Sequence, residues 1–150
     1  MVFQEKLTWV NLVVALVVPG AYAAYVLNQA NGAPVADFAY QRSMLIAIGI
    51  SIVATILGAI AMAVVTAASA EITGKGSVDD IDRKDERDKQ ISRRGDLMGY
   101  YVASVGAVGV LALTMLEYDY FWIANGLYLS FLVASVVGDG VKIVAYRRGF

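Results

Sequence analysis

Four apolar stretches, each about twenty residues or longer, limit this chain's folding more than any other feature. A bilayer's hydrocarbon core is roughly 30 Å thick and a helix rises about 1.5 Å per residue, so about 20 mostly apolar residues make one crossing. The stretches run approximately over Thr8 to Leu27, Met44 to Ala68, Leu97 to Leu116 and Phe121 to Ala145. A mean hydropathy of +0.62 with only 17% charged residues sets the chain apart from ordinary water-soluble domains. The expected fold is all-α: a single membrane domain over residues 1–150, an integral bundle of four transmembrane helices.

The basic residues orient the bundle. Lys6 precedes the first span, seven Lys and Arg lie between the second and third, and Lys142, Arg147 and Arg148 close the fourth. These are 11 of the chain's 12 basic residues, and four spans put them all on one side; Arg42 alone falls on the other. The positive-inside rule makes the crowded side cytoplasmic, so N-in/C-in is expected. Aromatic belts agree, with Trp9 at the inner edge and Tyr118, Tyr120, Phe121 and Trp122 at the outer edge, where EYDYFW forms a tight hairpin. A rival reading takes Leu12 to Val18 as a signal-peptide core, with Ala21-Tyr22-Ala23 as the cleavage site. Against it, the apolar run continues to Leu27 and Glu5 offsets Lys6.

Helices in lipid gain little from apolar bulk, so close approach through small residues matters more. Span two carries Ala47, Ser51, Thr55, Ala59, Ala63 and Ala67 at every fourth position; span three begins with Gly95, Gly99, Ala103 and Ala107; span four offers Ser130, Ala134 and Gly138. Packing within one four-helix bundle is the expected use of these stripes, with a homodimer seam as the alternative. Pro19 in span one removes a backbone donor and can kink that helix.

Asp80 to Arg94 packs 11 charged residues into 15 positions. Ser77 reads as a helix cap with Asp79, Asp80 and Asp82 in the first turn, and acids precede bases by four at Asp79/Arg83, Asp80/Lys84 and Asp85/Lys89. No proline interrupts the run, so a charged cytoplasmic helix, within a segment of about 71–96, is expected to continue into the third span. It reads as a salt-bridged topology anchor or as a docking surface. A metal site from its carboxylates is disfavoured, because interspersed bases compete for them.

The segment DERDKQISRRGDLMGYYV, Asp85 to Val102, resembles the D-E-R-[DE] stretch of small bacterial integral membrane proteins classed as a domain of unknown function. The resemblance covers the second half of the chain. It implies a four-helix protein of the bacterial inner membrane, with Asp85, Glu86, Arg87 and Asp88 carrying whatever the family shares. Arg93 and Arg94, just before the third span, add to the partner- or lipid-binding candidates.

Inside the membrane, ionisable groups are functional suspects by default. Asp139 and Lys142, three apart on span four, can pair with one another; Asn11 and Asn125 suit interhelical hydrogen bonds. Small multidrug transporters also have four spans, but span one here has no carboxylate, so the likeness stops at helix count. The absence of Cys and His, and of any nucleophile–base pair or phosphate loop, points away from an enzyme and from a cofactor or metal. A net charge of −1 gives no reason to expect nucleic acid. The expectation is a non-catalytic accessory or regulatory protein of the cytoplasmic membrane, showing its charged helix to a partner or to lipid headgroups. The alternative is a small homo-oligomeric transporter or channel with Asp139 as its coupling group.

Overall fold

A computed structural model describes residues 3–30, 39–73 and 86–148. They form four helices: α1 over Phe3–Ala30, α2 over Gln41–Thr73, α3 over Glu86–Met115 and α4 over Tyr120–Arg148. All four are long and apolar enough to cross a membrane. Their large apolar side chains point outward. Ile52, Val53, Leu57 and Ile60 of α2, Val105 and Val108 of α3, and Leu129 and Phe131 of α4 are all exposed, which suits a bundle whose solvent is lipid.

The helices run up and down in the order α2, α1, α4, α3, each packed on its neighbour in that series. The tightest seam joins α3 to α4. Gly95 and Gly99 lie against Gly138 and Ala134, so that a Cβ on Gly99 would sit 3.0 Å from the Ala134 carbonyl oxygen and one on Gly138 would sit 3.0 Å from that of Gly95. The small residues of spans three and four thus close on each other within one chain. Further along, Gly106 rather than Ala107 meets the partner helix, at Ser130, while Ala107 turns outward. A strict four-residue repeat drifts around a helix of 3.6 residues per turn, and this contact follows the helix.

The α3–α4 hairpin is closed by backbone bonds. The Tyr118 N–H donates to the Leu113 carbonyl at 3.1 Å and the Glu117 N–H to that of Thr114 at 3.2 Å, a Schellman pattern with Glu117 in the left-handed region at φ 56°. Asp119 then opens α4, its carbonyl accepting from the Trp122 N–H at 2.9 Å. At this end of the bundle the core is aromatic. Tyr40 meets Phe121 edge-on with centroids 5.0 Å apart, and Tyr22 meets Tyr128 at 5.7 Å, packed with Val26, Met44 and Ala47. The Tyr22 hydroxyl donates to the Asn125 amide oxygen at 2.9 Å, and the Asn125 amide donates to the Phe121 carbonyl at 2.9 Å. Asn125 therefore joins α1 to α4. Helix α1 continues through Pro19, which is buried.

Candidate functional site

The opposite end of the bundle gathers the start of α1, the start of α3 and the end of α4. Arg147 of α4 stands 3.8 Å from the Glu5 carboxylate of α1 and 5.4 Å above the ring of Trp9. Nearby, the Tyr146 hydroxyl faces the Asp88 carboxylate of α3. Asp88, Ile91 and Gly95 are the buried residues of α3, spaced as one helical face. Ile91 has no exposed surface at all. Among the described residues, Lys6 of α1, Arg87, Lys89, Arg93 and Arg94 of α3 and Arg147 and Arg148 of α4 lie at this one end of the bundle.

The charged candidates therefore separate. Asp85 lies outside the described residues, as do the Ser77 cap and the Asp79–Lys84 pairs. Glu86 and Arg87 are exposed, Glu86 bonded to Lys89 at 3.2 Å, and Arg93 and Arg94 are exposed one turn before the span. Asp88 faces inward. The Glu86 to Arg94 residues share one unbroken helix with the third apolar stretch.

One turn deeper, three charged side chains meet between α3 and α4. The Lys142 ammonium lies 2.8 Å from Asp96 and 3.4 Å from Asp139. Asp139 is 5% exposed, whereas the Asp96 side chain is largely open, with its second oxygen accepting from the Ser92 hydroxyl at 3.2 Å. Gly95 makes this reach possible. The Lys142 stem crosses α3 over that glycine, where any side chain would stand in its way.

The triad borders a cavity of about 570 Å³ lined by all four helices. Asn11 and Ala15 of α1, Ser51 and Thr55 of α2, Tyr100 and Ala103 of α3, and Ala134 and Ser135 of α4 complete its walls. It exists because α2 and α3 flank the bundle and hardly touch, leaving a space in the middle. Pro19 denies the Ala15 carbonyl its helical donor, which leaves one more acceptor on a residue of the wall. Hydroxyl, amide and carboxylate groups on an otherwise apolar lining are what a membrane-embedded binding site needs: a few polar groups that orient a ligand in a shape set by apolar ones.

Chemically, the cluster holds two carboxylates and one ammonium. Metal-capable side chains do not gather in groups of three or more among the described residues. The Asp139–Lys142 pair was legible as a local spacing of three on one helix. Asp96 was not singled out, because a charged residue beside Arg93 and Arg94 reads as part of the flank. Its position next to a glycine that takes a close helix contact was the available signal.

No family model matches the chain, and neither the curated proteins nor the solved structures yield a match.

Proposed function

We propose that the protein is a small multi-pass transport protein of a cytoplasmic membrane, N-in/C-in, with Asp139 as its coupling group. The observation that carries this reading is that Asp139 is a buried carboxylate beside a cavity lined by all four helices, held by an ammonium that leans more closely on another helix. A charge within the apolar part of a span is costly, up to about 2.5–3.5 kcal/mol on insertion scales at the bilayer centre, and simple architecture does not require it. Lys142 offsets that cost for both carboxylates at once. When a proton or a cation neutralises Asp139, the ammonium keeps Asp96 as its partner; when Asp139 is bare, Lys142 returns to share it. The site thus has two arrangements, net −1 with Asp139 bare and net zero with it neutralised, and such a difference between states is a condition for coupling solute binding to a change of shape. The two helix pairs, α1–α2 and α3–α4, meet through α1 and α4 alone with any extent, which suits motion of one pair against the other.

The test is proton flux into proteoliposomes holding an internal pH dye, with sodium, potassium and methylammonium chloride outside in turn and protein-free liposomes subtracted. The wild type should show protein-dependent flux with at least one salt, and Asp139→Asn should abolish it. Wild-type flux equal to that of empty liposomes, or an Asp139→Asn variant equal to wild type, would overturn the reading.

A second reading rests on the exposure of Glu86, Arg87, Arg93 and Arg94. On it the protein is an accessory subunit whose α3 extension meets a partner or anionic headgroups, each base worth about 1 kcal/mol near such a surface. Reversing Arg87, Arg93 and Arg94 to Glu should then lose a co-purifying protein, or binding to vesicles rich in phosphatidylserine. Unchanged capture would sink it.

A further inference from the structure

We infer that the space between Asp96 and Asp139 is a seat for a primary alkylammonium ion and that Lys142 is its built-in occupant. The inference rests on the transport reading and names the class of solute that the same site takes.

Charge comes first. Two carboxylates and one ammonium leave the cluster at net −1, so a monovalent cation completes its balance, while an anion meets repulsion from both aspartates. Shape comes next. A lysine side chain is a butylammonium ion on a tether, and this one lies over Gly95, where a Cβ would stand 2.5 Å from Lys142 Cγ and 2.7 Å from its Cε. The missing side chain leaves a trough fitted to an alkyl stem. Hydrogen bonding is uneven: the ammonium is 2.8 Å from Asp96 but 3.4 Å from Asp139, so the more buried carboxylate is the less satisfied one. A free ammonium carries three donors and no tether, and can approach Asp139 at full strength.

The rest of the cavity selects against other cations. A hard divalent ion takes six or more oxygen ligands, and here the Lys142 ammonium stands between the two carboxylates that would supply them. Ser51, Thr55 and Asn11 carry polar groups on the α1 and α2 walls and Tyr100 and Ser135 on the α3 and α4 walls, while Val14, Ala15, Ala103 and Ala134 are apolar. That lining suits an organic cation with a short hydrocarbon or hydroxylated body. Its volume of about 570 Å³ leaves room for such a body beside the retained lysine. Lys142 then acts as a competitor: it lowers the charge of the empty site from −2 to −1 and yields its place between the carboxylates when a free ammonium arrives.

The experiment is isothermal titration calorimetry on full-length protein in lipid nanodiscs, with n-butylammonium and tetraethylammonium chlorides as probes. Lys142→Ala vacates the seat and should bind n-butylammonium at least tenfold more tightly than wild type. Tetraethylammonium, which has no N–H donor, should gain nothing. Adding Asp139→Asn should abolish the gain. Circular dichroism and size exclusion establish that each variant is folded. If Lys142→Ala does not fold, Lys142→Met keeps the stem over Gly95 and removes only the charge, with methylammonium as the probe. Equal or weaker binding than wild type in the folded variant overturns the inference, as does an equal gain for tetraethylammonium or a gain that survives Asp139→Asn. Tight n-butylammonium binding without flux in liposomes supports the seat and overturns the transport reading; flux without this binding does the reverse.

Discussion

Lys142 of α4 lies across Gly95 of α3 and reaches Asp96 over the space that a side chain at position 95 would fill. A Cβ there would stand 2.6 Å from the Gly138 carbonyl oxygen as well, and backbone cannot step aside as a lysine stem can. Gly95→Ala should therefore force α3 from α4 and destabilise the bundle by about 1–3 kcal/mol, the usual range for overpacking. Gly138→Ala, whose Cβ would lie 3.0 Å from the Gly95 carbonyl oxygen, should cost less. Gly49 and Gly109 have nothing within 4 Å of the corresponding position, so alanine at either should be neutral or stabilising by up to about 1 kcal/mol. Reversible unfolding in mixed detergent and SDS checks the order. A Gly95→Ala variant as stable as Gly109→Ala would remove the close seam.

The Tyr22–Asn125 bond ties α1 to α4 within the aromatic end of the bundle. Hydrogen bonds between membrane helices average only about 0.6 kcal/mol, because the separated helices also find partners. Tyr22→Phe keeps the ring contact with Tyr128 and removes only the hydroxyl. It should cost about 0.5–1.5 kcal/mol in the same unfolding assay, and a double-mutant cycle with Asn125→Ala should return most of that as coupling. Additive losses would mean that the bond contributes nothing.

What the sequence made legible was whatever is local or set by length. Four apolar stretches long enough to cross a bilayer appear as four helices, since no other backbone arrangement within such a run satisfies its own polar groups in lipid. The glycine and alanine stripes of spans three and four were legible because close approach demands small side chains at a helical spacing. The Asp139–Lys142 pair was legible as a three-residue spacing. Asp96 was hidden, because its importance comes from a residue 46 positions away that passes over a glycine. Asp88 was read with its charged neighbours, yet its spacing from Ile91 and Gly95 marks the inward face. Charge density suggested solvent, and the period of the helix decided otherwise.

Glu117 sits at φ 56°, the position in a Schellman cap that glycine usually fills. A residue with a Cβ gives up roughly 1–2 kcal/mol in that conformation. Glycine avoids this cost but has more freedom to lose on folding. Glu117→Gly should therefore stabilise the hairpin by a net amount of up to about 1 kcal/mol, seen as a higher midpoint in SDS unfolding. Glu117→Val, with a β-branched side chain in the left-handed region, should lower it. If the two variants shift the midpoint in the same direction, the cap is not formed as described.

Topology provides the last test, and the chain suits it because it has no cysteine of its own. Arg93 and Arg148 stand exposed at the end where the start of α1, the start of α3 and the end of α4 converge, and Arg42 and Asp119 stand exposed at the other. Single cysteines at these four positions, one per variant, report which end faces the cytoplasm. With a membrane-impermeant maleimide on intact cells whose outer envelope has been removed, Arg42→Cys and Asp119→Cys should label. Arg93→Cys and Arg148→Cys should label only after permeabilisation. The reverse pattern would invert the bundle and place the Asp96–Lys142–Asp139 cluster at the outer face, so that Asp139 would meet its solute from outside first. Labelling of all four positions on intact cells would mean that α1 to α4 do not cross the membrane as a set, and the cavity would then no longer lie within a bilayer.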